Sequence, residues 1–149
     1  GSPMWSAFAG LVTLGTDVNS FCGIGDMTAT GGAIGYTFNH VGFKILRAAS
    51  GTASLYATQA NGTTETASAA LITVAAGEDY GLILKMNTST SVDYYVKQNT
   101  GALSAATNVT ATIPSITGVN RNISFGISNV DVATASRIDY GGSAYEREA

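Results

Sequence analysis

One histidine and one cysteine carry most of the reactive chemistry this sequence has to offer. His40 is the only histidine and Cys22 the only cysteine among 149 residues. Any Ser–His–Asp or Cys–His constellation must run through His40, and Cys22 with His40 is the pair to test, because a nucleophile needs a base within hydrogen-bond reach. The plainer reading makes Cys22 a small buried residue in the strand-like FCGIG. His40, after Asn39, then caps a turn between two strands. A structural zinc site needs more ligands than one Cys and one His supply. Calcium takes oxygen ligands, which Asp17, Asn19 and Asp26 carry in DVNSFCGIGD, but the loop lacks the Glu that closes an EF-hand. Asx residues in such a stretch read as turn formers. Glu78 and Asp79, the only adjacent acids, point to opposite faces of an extended segment. CGIGD and TGGAIG lack the G-x-G-x-x-G spacing and open no helix, so they read as turns or close backbone approaches rather than phosphate cradles. The residues thus assign no catalytic group, no metal and no cofactor.

The elements that position these residues are strands. In YGLILKMN, Tyr80, Leu82, Leu84 and Met86 share one face. In VDYYVK, Val92, Tyr94 and Val96 oppose Asp93, Tyr95 and Lys97. VGFKILR sets Phe43 and Ile45 against Lys44, and ISFGIS sets Ile123, Phe125 and Ile127 against Ser124, Gly126 and Ser128. A period of two with one apolar face marks a half-buried antiparallel strand. Turn signals at 30–32, 49–51, 61–62, 76–79, 99–101 and 117–118 separate the runs. The pattern predicts strands near 5–13, 20–25, 33–39, 41–48, 53–59, 65–74, 80–87, 91–98, 102–112 and 121–128, and a last one near 136–145. In TASAALITVAAGEDY, Ala favours a short helix, but the β-branched Ile72, Thr73 and Val74 argue for strand.

Composition agrees. Hydrophobic residues make up 45% and charged residues 11%, with 18 glycines. That charge content is well under that of an average soluble domain, and Ser and Thr take over much of the polar surface. Net charge is −3, and the seven basic residues are scattered, which excludes the concentrated positive surface that nucleic acid requires. No apolar run of about 18 residues predicts a membrane-spanning helix. A lone cysteine makes no intrachain disulfide. The opening GSPM is either a cloning remnant before Met4 or native, so the chain divides into 1–4 and a single β-sandwich domain over 5–149. Four Asn-x-Ser/Thr sequons, at Asn61, Asn87, Asn108 and Asn122, matter only on a eukaryotic secretory route.

The stretch SVDYYVKQNTGALSAATNVTATIP extends this reading. It follows YGLILKMN and precedes ISFGISN and ATASRIDYGGSAYERE. Val92 to Val96, the turn Asn99-Thr100-Gly101, Pro114, and IDY at 138–140 with Arg147 resemble the C-terminal two-thirds of a concanavalin A-like lectin/glucanase (LamG-like) jelly roll found in bacteriophage virion structural proteins. FAGLVTLG and HVGFKILRAASGTASLYATQANGTTETASA resemble upstream segments of that family. The resemblance implies an all-β, antiparallel β-sandwich of concanavalin A-like jelly-roll type. It looks for one or two strands ahead of FAGLVTLG, one of them pairing with the closing strand. Either those strands are lacking here, or a neighbouring subunit supplies one, or the chain is a fragment. Glucanases of this fold carry E-x-D-x-E on one strand face, and this spacing is absent.

The resemblance implies a non-enzymatic virion protein on the particle surface, as capsid decoration or cement or as a head or tail fibre module. Its partners would be major capsid or fibre proteins and further copies of itself. A rival expectation is a lectin-like module that recognises a host-surface glycan through outward aromatics. Trp5, Tyr36, Tyr56, Tyr95 and Tyr145 are candidates by alternation, although Trp5 reads best as a plug in the core. Tyr36, Tyr56 and Tyr95 are named as the glycan or interface contacts, and the lectin reading requires them on one face.

Overall fold

The computed structural model describes residues 4–13, 18–27, 34–47, 51–111, 123–129 and 137–146. Asp17, Pro114, Arg147 and the side chain of Tyr145 lie outside the described residues. Two antiparallel sheets pack face to face as a β-sandwich of the jelly-roll kind, and no helix occurs among the described residues. The strands are β1 (Met4–Thr13), β2 (Val18–Gly25), β3 (Asn39–Arg47), β4 (Ser54–Asn61), β5 (Glu65–Ala67), β6 (Ile72–Thr73), β7 (Asp79–Thr88), β8 (Ser91–Gln98), β9 (Thr107–Thr110), β10 (Ile123–Asn129) and β11 (Arg137–Glu146). The first sheet runs β11-β1-β7-β8-β9. The second runs β10-β2-β3-β4-β5, with β6 also on β4. β1 carries most of FAGLVTLG and pairs with both the closing strand β11 and β7. The closing strand thus pairs with the strand that carries most of FAGLVTLG.

Alternation builds the core from both sheets. Trp5, Ala7, Ala9 and Leu11 of β1 face inward with Tyr80, Leu82, Leu84 and Met86 of β7 and Val92, Tyr94 and Val96 of β8. Cys22, Val41, Phe43, Ile45, Leu55 and Ala57 answer from the second sheet. The Phe43 ring meets Tyr94 edge-on at 5.3 Å and Trp5 at 6.4 Å, so aromatic contacts bridge the layers. A buried amide crosses them too. The Tyr94 hydroxyl reaches the Thr58 carbonyl and Gln59 Oε1, both at 3.2 Å, while Gln59 Nε2 donates to the Ala111 carbonyl at 3.3 Å. Trp5 is inside, as a core plug rather than an outward aromatic.

Three predicted strands are corrected. Residues 34–38 form no strand: Tyr36 and Thr37 make a turn. The segment lies over the outer face of the second sheet, where the Phe38 ring meets Phe21 edge-on at 5.1 Å. β2 and β3 are consequently buried on both faces, which a period-two reading does not anticipate.

The strand predicted at 65–74 is split into β5 and β6, and the one predicted at 102–112 shrinks to β9 with an isolated bridge between Lys97 and Leu103. The same tripeptide, Ser-Ala-Ala at 68–70 and again at 104–106, stands at both interruptions. Ser68 Oγ accepts from Ala57 N–H and donates to the Ala69 carbonyl. Ser104 Oγ accepts from Val96 N–H and donates to the Ala105 carbonyl. A serine hydroxyl takes the place of a ladder carbonyl and the pairing stops, because side chains of this kind compete with the sheet for backbone groups. Breaking an edge in this way denies it to a foreign strand.

Candidate functional site

The chemistry-bearing side chains gather on the outer face of the second sheet. Lys44 alternates away from Phe43 and Ile45, and register sets it beside Tyr56 and Phe21. His40, Thr58 and Ala60 share that face, and Glu65 joins it opposite Ala60. Covered by the 34–38 turn, His40, Lys44 and Thr58 are all buried. Lys44 Nζ donates to Glu65 Oε1 at 2.5 Å and lies 4.6 Å from the centre of the Tyr36 ring and 6.0 Å from that of Tyr56. Two of the three tyrosines named from the sequence therefore flank the protein's own cation.

A chain of hydrogen-bonding atoms continues to His40. The Thr58 hydroxyl donates to Glu65 Oε1 at 2.6 Å, and His40 Nε2 stands 2.9 Å from that hydroxyl oxygen. On the other side of the ring, Nδ1 stands 2.9 Å from the Phe38 carbonyl. With the Thr58 proton given to Glu65, both ring nitrogens face acceptors, and only the doubly protonated ring completes both bonds. Burial opposes that form. It pulls the His40 pKa from 6.5 down to about 4, with the Phe38 carbonyl and Glu65 pulling the other way. At neutral pH the ring is uncharged and satisfies one contact at a time.

The cluster is therefore a second, polar core. Lys44→Met should cost about 2 kcal/mol, because it strands a partly buried carboxylate. The figure lies below the range for fully buried pairs, since the two side chains are 8% and 23% exposed. The double variant Lys44→Met/Glu65→Leu should recover most of the loss. Urea midpoints of the two single variants and the double variant measure the coupling. A loss in the double variant equal to the sum of the two single-variant losses would show that the pair contributes nothing.

The cysteine and the histidine do not meet. Cys22 faces the core and His40 the opposite face of the same sheet, and burial pushes the Cys22 thiol well above its usual range, where no thiolate forms. His40 is not a turn cap, as the sequence reading has it, but a strand residue under Phe21 and Phe38. Asp26 bonds Asn39 Nδ2 at 3.0 Å, a link between the end of β2 and the start of β3. Among the described residues no three His, Cys, Asp or Glu side chains gather to hold a metal ion. Tyr36 and Tyr56 lie on the outer face of the second sheet, whereas Tyr95 is half-buried on the outer face of the first. They share no surface.

A feature that sequence reasoning missed lies on that outer face of the first sheet. Phe8 is 45% exposed and has a glycine on each side, Gly141 of β11 and Gly81 of β7. Two residues along β1, Gly10 has an aspartate on each side, Asp139 and Asp79. Phe8, Gly10, Gly77, Asp79, Asp139 and Gly141 line an open cleft of about 550 Å³. Arg137 clamps Asp139 through two bonds, at 2.9 and 3.0 Å. The signal was present in the sequence as Phe-x-Gly on a strand whose partners carry Asp-x-Gly twice, DYG at 79–81 and DYG at 139–141. Only the pairing sets the two copies on either side of β1.

The chain matches no protein-family model, no curated protein and no solved structure.

Proposed function

We propose that the chain is a non-enzymatic structural module on the surface of a bacteriophage particle, decorating or cementing the capsid or forming part of a head or tail fibre. It docks against a major capsid or fibre protein and against further copies of itself. The resemblance in the sequence supplies the virion context. The observation that supports docking is an asymmetry of edges. On one side of the sandwich both edges are broken by Ser-Ala-Ala, at β5/β6 and at β9. On the other side the sheets end in β10 and β11, seven and ten residues long, with no further strand on either among the described residues. Phe125 and Ile127 of β10 are in register with the inward residues Cys22 and Ser20, yet they are 39% and 41% exposed. An open edge beside exposed apolar side chains is a surface for adding a strand or a subunit. The carboxylates of the open cleft argue against a glycosidase. Both are exposed and Asp139 is held by Arg137, whereas such an enzyme shelters its proton donor in an apolar pocket.

Light scattering on the purified chain tests this reading. The wild type should be a trimer or larger assembly, and Ile127→Lys should reduce it towards a monomer without moving its urea midpoint by more than about 0.5 kcal/mol equivalent. A wild type that stays monomeric at high concentration, with no gain in mass on adding a capsid protein, defeats the proposal. The second reading, a carbohydrate-binding module, loses the support of Tyr36, Tyr56 and Tyr95 but finds another platform at Phe8.

A further inference from the structure

We infer that the Phe8 cleft is a saccharide-binding platform that takes a neutral or amino-sugar unit of an oligosaccharide. The inference rests on the carbohydrate-binding reading and gives it a site; it is independent of the structural-module reading. A sugar ring has an apolar face of C–H groups and a rim of hydroxyls. A receptor for it needs a flat apolar surface with hydrogen-bonding groups placed at its margin.

The outer face of the first sheet has both parts in adjacent rows. In one row, Gly141, Phe8 and Gly81 stand side by side, so neither residue paired with Phe8 carries a side chain. A Cβ added at Gly141 would meet nothing within 4 Å, and one at Gly81 would make only ordinary contact with Lys97. In the next row, Asp139, Gly10 and Asp79 stand side by side. Strand spacing separates the backbones of the two aspartates by roughly 9 to 10 Å. Gly10 leaves the floor between them open, and a Cβ there would stand 3.2 Å from Asp79 Oδ1, so that carboxylate leans over the gap.

The polar groups suit hydroxyls. Asp79 makes its backbone bonds to Asn99, which leaves its carboxylate to accept from a ligand. Arg137 and Asp139 form a bidentate pair that presents a fixed acceptor next to a fixed donor. Among the described residues that line the cleft, Asp79 and Asp139 are the charged ones and none is basic, which disfavours sialylated or uronic acid chains and suits neutral or amino sugars. The apolar floor is one ring rather than a broad patch, which suits a small ligand with a polar outline better than the side-chain core of a protein interface.

A printed array of neutral, amino-sugar and acidic oligosaccharides, followed by titration of the best neutral or amino-sugar ligand, tests the inference. The wild-type chain should retain at least one neutral or amino-sugar oligosaccharide. Phe8→Ala and Gly141→Val should each weaken it tenfold or more, the first by removing the platform and the second by raising a side chain beside it. Asp79→Asn should weaken it about threefold. All three variants should keep the wild-type urea midpoint, since the altered groups are exposed. Binding that survives both Phe8→Ala and Gly141→Val but is lost in Tyr95→Ala overturns this site and leaves the carbohydrate reading standing on another surface. Retention of acidic chains alone overturns the charge argument and the site with it. No retention of any oligosaccharide overturns the site and the carbohydrate reading together, while the assembly measurement decides the structural reading separately.

Discussion

Trp5→Ala should lower the unfolding free energy by about 3–5 kcal/mol, the range for emptying a buried tryptophan site. The chain's single tryptophan is fully buried at the second residue of β1. It is in register with Leu84 of β7, and its ring faces Phe43 from the opposite sheet at 6.4 Å. Alanine would leave a void between two layers whose strands are held by ladders on both sides of β1, so little collapse can refill it. Against a typical total of 5–15 kcal/mol, the loss is a large fraction. In a chain of this length it should shift the thermal midpoint by roughly 10 °C. Met4→Ala, an exposed neighbour on the same strand, should cost under about 0.5 kcal/mol. Denaturant unfolding followed by circular dichroism reads both. A loss under 1 kcal/mol for Trp5→Ala would mean that β1 does not seat its first residues in the core.

Stability should also fall as the solution is acidified from pH 7 to pH 4, and His40 should be a main cause. An unfolded histidine titrates near 6.5, and burial holds His40 at about 4 in the folded chain. Between these values the unfolded state binds a proton that the folded state refuses. The contribution is complete above pH 6.5 and is lost progressively as pH drops to about 4. At about 1.4 kcal/mol for each pH unit between the two values, the full loss is about 3 kcal/mol. The groups facing the ring bear on this number. Glu65 and Asp26 favour the charged form, Lys44 opposes it, and the Phe38 carbonyl offers the second acceptor that a protonated ring would use. His40→Gln keeps a donor and an acceptor but cannot titrate, so its urea midpoint should change less between pH 7 and pH 4 than that of the wild type. Parallel profiles for the two proteins would show that His40 is not the sensor.

The alternating segments were legible because a strand's side-chain period is local. Tyr80, Leu82, Leu84 and Met86, and likewise Val92, Tyr94 and Val96, face the core where their spacing places them. The burial of Trp5 and of Cys22 was expected on other grounds, Trp5 as a plug at one end of the core although alternation made it an outward candidate, and Cys22 as a small apolar residue. Where the expectation failed, a side chain acted at a distance in sequence. Tyr36 and Phe38 look like strand residues, yet they cover a neighbouring sheet face. Ser68 and Ser104 sit in runs that read as continuous strands until each hydroxyl captures a ladder N–H. The repeated Ser-Ala-Ala was visible in the chain, but its meaning depends on an edge position that one strand's spacing does not reveal.

The candidate sites divide along the same line. Low charge, dispersed basic residues, the single histidine and the single cysteine argued against whole classes of chemistry from composition alone, and the periodicity of two determined an all-β sandwich. Which residues meet was decided only by register between strands far apart in the chain. Lys44 and Glu65, Thr58 and His40, and the two Asp-Tyr-Gly copies on either side of β1 are joined by pairing, not by spacing. The physical reason is that a strand specifies which of its faces is apolar but not its neighbour. That choice belongs to the layered packing of the whole molecule, and in this chain it turned an apparently solvent-facing lysine and histidine into a buried core and left a phenylalanine outside.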